Sequence, residues 1–164
     1  MVSIDWCLKQ KDGIKLIEQN KNIADSYLKM AEESIKQLEN VKKSKIWTAT
    51  ITYYTFYYSL YSLMRYIGVK CEIHTCSLEF IKVYLDEFYN KKDIEMFEKA
   101  FSARINLQYY ADRPVDESEI RDTKIYCKDF YIKTKDILTK ISEIEINKIR
   151  DRIKKSKNAN TRYR

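Results

Sequence analysis

Two glycines (Gly13, Gly68) and one proline (Pro114) in 164 residues leave this chain very few places to turn sharply. A sheet protein needs many tight turns, and those turns need the dihedrals that glycine and proline supply. The scarcity predicts an all-α, up-and-down bundle of four to five helices. The length fits one domain with a single core, assigned to residues 1–155, followed by a basic tail at 156–164 that is expected to be disordered.

The spacing of apolar residues places the helices. Ala24, Tyr27, Leu28, Ala31, Ile35 and Leu38 recur at three and four residues, predicting a first helix over about 13–42. A second, over about 44–66, is apolar nearly all round, as befits the middle of a bundle, and Gly68 supplies its left-handed end. A short third helix, about 76–89, turns Leu78, Ile81, Leu85 and Phe88 inward. A fourth starts near Asp93, carries Phe97, Ala100, Phe101 and Leu107, and ends before Pro114. Asp116 and Glu119 form a start signal for a fifth, basic helix running to about Lys155, with Ile120, Cys127, Phe130, Thr134, Ile137, Ile141 and Ile144 near a heptad. Its length exceeds what such a bundle needs, so its end is expected to project or to pack on another subunit.

Charge is concentrated at one end. The net charge is +7, and residues 147–164 carry all of it, with eight basic side chains against Asp151 alone. Arg150, Arg152, Lys154 and Lys155 are therefore the candidate nucleic-acid contacts, since clustered cations bind phosphates without regard to sequence. Met1–Trp6 lacks the apolar stretch of a secretory leader, and the uncharged run Ile46–Met64 carries Thr48, Thr50, Thr52 and Thr55 among its tyrosines, too many hydroxyls for a lipid-facing span. A cytoplasmic protein with no membrane segment is expected. Cys7, Cys71, Cys76 and Cys127 match no metal spacing, so no metal and no cofactor is expected, and the thiols read as mostly buried. The dominance of Ile, Lys, Glu and Tyr is usage found in proteins of hot-living organisms, where a Cys71–Cys76 disulfide becomes an option.

Several short motifs together carry a family resemblance. Tyr53, Tyr54, Phe56, Tyr57 and Tyr58 resemble the "A-Y-Y-A-x-F-x-A" core helix of HEPN proteins. Ile73-His74-Thr75-Cys76-Ser77-Leu78 resembles their "T-H-S-L" turn, and Ala103 to Asp112 stands where they carry "R-x-x-A-D-Y" or "R-x(4–6)-H". Val115 to Glu119 matches their acidic start to the last helix. The likeness spans roughly residues 20–140. It implies a homodimeric helical bundle, a role in a toxin–antitoxin-like pair, and a minimal nucleotidyltransferase as partner. In the nuclease members two Arg…His motifs meet across the dimer and cleave RNA.

Metal-independent RNA cleavage proceeds by attack of the 2′-hydroxyl on the adjacent phosphate. It needs a group titrating near neutrality and a fixed cation for the developing charge. Arg104 suits the second role through its planar guanidinium. The histidine that the resemblance calls for is replaced by Tyr109, whose ordinary pKa near 10 makes it a poor base at neutral pH. His74, the only histidine, is the remaining candidate. The candidate catalytic residues are thus Arg104, Tyr109 and His74, with Tyr109 and Tyr110 as candidate targets of adenylylation by the partner. The tyrosine row of the second helix carries no interleaved charge and reads as core packing rather than a base-stacking platform. Three readings stay open at this point: a HEPN-type partner protein with a degenerate nuclease motif, an active ribonuclease using Arg104, and a non-enzymatic adaptor binding RNA or protein through its basic end.

Overall fold

In the computed structural model, which describes residues 2–110 and 112–161, the chain is all-α, with seven helices and one two-residue β-bridge pair. The helices are α1 (Ile4–Lys9), α2 (Lys21–Gln37), α3 (Lys45–Ile67), α4 (His74–Tyr84), α5 (Lys91–Tyr109), α6 (Glu117–Lys140) and α7 (Glu143–Thr161). Strands β1 (Lys15–Leu16) and β2 (Val69–Lys70) pair antiparallel, Leu16 opposite Val69.

Helix α3 is the axle, packed against α2, α4, α5 and α6. Its Tyr53, Phe56, Leu60, Leu63, Met64 and Ile67 are fully buried. Phe56 stacks on Phe97 of α5 and meets Phe130 of α6, at centroid distances of 5.4 and 4.9 Å. The near-continuous apolar composition of this helix is what allows neighbours on every side. Ser44 caps its start by accepting from the Trp47 N–H. Gly68 ends it at φ 83°, the left-handed conformation that its sequence predicts.

The first segment departs from expectation. Residues 13–20 do not extend α2. Gly13 belongs to a turn after α1, where a Cβ would sit 1.9 Å from the Cys7 carbonyl oxygen, so only glycine fits that close approach. Helix α2 begins at Lys21 because the Asn20 side chain accepts from the Ile23 N–H at 2.9 Å. The α1 segment is then pinned by a disulfide between Cys7 and Cys76. Cys76 thus pairs with Cys7 and not with Cys71, the option that the sequence left open, and two of the four thiols are oxidised. Cys71 and Cys127 alone are free, and both are buried.

Helix α4 starts at His74 and stops at Tyr84, shorter at its end than the spacing suggests, and α5 begins at Lys91 through a reciprocal Asn90–Asp93 capping box. The long fifth helix is two helices. At Ile141 the backbone turns extended, and Ser142 and Glu145 form a capping box in which each side chain accepts from the other's backbone N–H. The break redirects α7 so that Ile146, Ile149 and Ile153 bury themselves in the core. Helix α7 continues through Thr161, past the boundary expected at residue 155, while Arg162 and Arg164 lie outside the described residues.

Two arginines of α7 fasten it down. Arg150 Nη1 donates to the carbonyls of Ile17, Ile67 and Gly68, at 3.0, 2.9 and 2.9 Å. These include the orphan carbonyls at the end of α3, where a cation also complements the helix dipole. Arg152 bonds Asp86 and the Val83 carbonyl at the end of α4. A Cβ on Gly68 would lie 2.3 Å from Arg150 Nη1 and 2.7 Å from the Ile17 oxygen. Gly68→Ala is therefore expected to cost about 3 kcal/mol, from left-handed strain together with displaced charge-assisted hydrogen bonds. Urea denaturation of parent and variant measures it, and a loss below roughly 1 kcal/mol would show that the clamp yields without penalty.

Candidate functional site: a buried arginine beside a histidine

Tyr53, Tyr54 and Tyr57 leave α3 on the side where α4 and α5 meet. His74 opens α4, delivered there by the β2 strand and the short stretch after it. Its Nδ1 lies 2.5 Å from the Tyr53 hydroxyl, and its ring sits 4.5 Å from that of Tyr57. Arg104, on α5, lays its guanidinium 5.0 Å from the Tyr53 ring centre and 5.2 Å from that of Tyr54. Its Nη2 points to the Tyr54 hydroxyl at 3.5 Å. Arg104 and His74 thus converge on the same tyrosines from two helices, within one chain.

Arg104 is unusual in its company. It is only 8 % exposed, and its Nε finds no hydrogen-bond partner. Among the described residues no carboxylate pairs with it. Glu98, an obvious counter-ion in sequence, is engaged by Lys82 at 2.5 Å. The aromatic faces give partial compensation through their quadrupoles. A buried cation held without a carboxylate is costly, and such a group in a cluster of titratable residues marks a candidate for anion binding.

The electrostatics of the cluster follow from its burial. Desolvation, then the nearby Arg104 charge, holds the His74 pKa below its ordinary value, so the imidazole is neutral at pH 7. Desolvation pushes the Tyr53 and Tyr57 hydroxyls far above theirs, with the neighbouring tyrosines adding to it, so both stay protonated. The shift at His74 has a consequence for stability. The unfolded imidazole titrates near 6.5 and the folded one lower, so between the two the unfolded chain binds more protons. Stability should therefore be complete above about pH 6.5 and fall as pH drops through the folded pKa. His74→Gln should flatten that part of the profile, and an unchanged acid limb in the variant would refute the assignment.

The other sequence candidates lie elsewhere. Tyr109 and Tyr110 are 64 % and 40 % exposed, and Arg113 stacks 3.5 Å over the Tyr110 ring. Five residues along a helix turn a side chain well away from its starting face, so Tyr109 does not join Arg104. The residue that shares the Arg104 face is Gln108, four positions on, which donates to Thr50 Oγ1 at 2.8 Å. That four-residue spacing is the sequence signal for Gln108. The tyrosines flanking Arg104, which the sequence presents as core packing, also line this cluster.

At the C-terminal end, Arg150 and Arg152 serve the packing of α7 through the bonds given above, and Lys154 and Lys155 stay exposed, Lys154 bonded to Asp151 at 3.1 Å. The basic surface available to an adaptor is thereby reduced. Among the described residues no group of three or more His, Cys, Asp or Glu side chains is arranged to hold a metal ion, and no helix is long and apolar enough to cross a membrane. No family model, no curated protein and no solved structure matches this chain.

Proposed function

We propose that this chain is the HEPN-type member of a toxin–antitoxin-like pair, working as a homodimer, and that its chemical centre is the Arg104–His74 cluster acting on RNA. The observation that carries the reading is a buried arginine with no carboxylate partner among the described residues, beside a neutral histidine. In cleavage, His74 takes the proton from the 2′-hydroxyl as that oxygen attacks the neighbouring phosphate. Arg104 holds the phosphoryl oxygens as negative charge builds on them, with the Tyr54 hydroxyl beside it as a further donor. The phosphorus–5′-oxygen bond breaks, the leaving 5′-oxygen takes its proton from solvent water, and a 2′,3′-cyclic phosphate is the product. In this reading His74 takes the part of the motif histidine that Tyr109 replaces in sequence, which its place beside Tyr53 and Tyr57 supports. Lys155, and Lys154 by exchanging its exposed Asp151 ion pair, add sequence-independent phosphate contacts.

The partner in this reading is a minimal nucleotidyltransferase. The exposed hydroxyl-bearing rings of Tyr109 and Tyr110 suit an adenylyl acceptor better than a catalytic group. The test is cleavage of a mixed RNA pool in the presence of a chelator by the parent, Arg104→Ala, His74→Ala and Tyr109→Phe. Loss in the first two variants and retention in the third is the expected result. A folded parent that leaves the pool intact overturns the reading.

A further inference from the structure

Helix α6 carries a seven-residue pattern that the core does not explain. Arg121-Asp122, Lys128-Asp129 and Lys135-Asp136 recur at intervals of seven, and Ile125 and Ile132 follow the first two pairs at the same offset. None of this belongs to the buried stripe, which is Ile120, Thr123, Cys127, Phe130, Tyr131, Thr134 and Ile137. The two isoleucines sit on the opposite side of the helix and are 64 % and 61 % exposed. All six charged residues are exposed as well. A repeat of seven keeps each residue type in a straight row along the helix. The outcome is an apolar seam with a basic row on one flank and an acidic row on the other.

We infer that this face is the contact between two copies of the chain, joined by a two-fold axis running along α6 so that the two α6 helices lie parallel. The argument is one of charge and symmetry. A two-fold axis along the helices exchanges flanks, setting the acidic row of each copy against the basic row of the other at the same height. A two-fold axis across the helices preserves flanks, setting acid against acid and base against base. Only the parallel arrangement closes with every row complementary, and it places Ile125 on its own copy and Ile132 on its own copy. The ion pairs this face makes within the chain, Arg121–Asp122 at 3.6 Å and Asp136–Lys140 at 2.7 Å, join exposed groups and exchange at little cost. Because the face lies opposite the core side of α6, each copy keeps its own complete Arg104–His74 cluster.

The inference rests on the homodimer part of the proposed function but not on its chemistry. It is tested by self-cross-linking of Ile125→Cys and, separately, Ile132→Cys, with diamide as the oxidant that takes the two thiol hydrogens. Both native free thiols are buried, and Lys29→Cys, on the exposed side of α2, is the control. Each single variant should form a disulfide-linked dimer while the control does not. If neither links but a mixture of the two does, the helices are antiparallel and the orientation fails. If none links above the control, the face fails. Sedimentation of the parent beside the double variant Ile125→Glu/Ile132→Glu should show a dimer become a monomer. A double variant that stays dimeric overturns the face yet leaves a homodimer standing. A parent that sediments as a monomer overturns both, while Arg104-dependent RNA cleavage is still read independently.

Discussion

Arg104→Ala is expected to lower RNA cleavage at least a hundredfold while leaving the fold as stable as before, or more stable. Removing one donor from an oxyanion-stabilising site typically costs about 10²–10³ in rate, and a full positive charge aimed at a phosphorane belongs at the upper end. The stability half of the expectation separates function from structure. A guanidinium kept 8 % exposed, with its Nε unbonded and no carboxylate partner among the described residues, is a desolvated charge that the fold tolerates rather than exploits. Arg104→Met, which fills similar space without charge, should therefore hold or gain unfolding free energy. Arg104→Lys should recover only part of the activity, because an ammonium offers no planar fork. Single-turnover cleavage and urea unfolding on the same preparations decide the matter. Parallel loss of activity and stability would make Arg104 a packing residue. The rate of the parent should also rise with pH and level off below about 6.5, the ordinary histidine value, since the base must be unprotonated and burial has lowered its pKa.

Breaking the Cys7–Cys76 disulfide, by Cys7→Ser/Cys76→Ser or by a dithiol, is expected to remove about 4 kcal/mol of stability. The bond closes a loop of 69 residues, and the loop-entropy relation gives that size for such a length. Little else compensates. Helix α1 has six residues, far below the length at which a helix stands alone, and only Cys7 and Leu8 of it are buried. His74 lies two residues from Cys76, so the same cut should loosen the turn that presents the imidazole to Tyr53. Denaturation with and without reductant reads the first effect, and the His74 titration by NMR reads the second. A reduced protein that unfolds at the same denaturant concentration would show that packing alone holds α1.

The helical class and the place of α3 were legible because they rest on composition and on a strong apolar pattern, which tertiary context rarely overturns. Gly68 was legible for the same reason: one residue type satisfies a left-handed helix end. What escaped was local chemistry that competes with periodicity. The Ser142–Glu145 box is written plainly as Ser-x-x-Glu, yet the isoleucines on either side kept a heptad-like rhythm through it and masked the break. Residues 13–20 carry no breaker except Gly13, so the extended stretch before Asn20 passed for helix. The disulfide could not be read, because spacing alone does not decide which of the four cysteines pair, and the partner of Cys76 lies far off in sequence. At the site, Arg104 and His74 were each identifiable as chemical types. Their meeting was not, because it depends on how a β-bridge and a disulfide bring the start of α4 against α3. Tyr109 is exposed away from Arg104 because five residues turn a helix to a different face, whereas the four-residue spacing puts Gln108 on the Arg104 side.

The arginine clamp also bears on the order in which the chain can fold as it is made. Arg150 reaches back across 133 residues to the carbonyl of Ile17, and across 83 and 82 to those of Ile67 and Gly68. Contacts of such sequence separation close late, after the local helices have formed and loop entropy has been met. On the ribosome, α2 through α6 can assemble around α3 while the end of α3 still presents unsatisfied carbonyls. The N-terminal strand and its neighbour then wait, half-docked, for Arg150 to emerge. A nascent chain stalled before that residue should be selectively open to protease near β1 and Gly68, and one stalled after it should be closed.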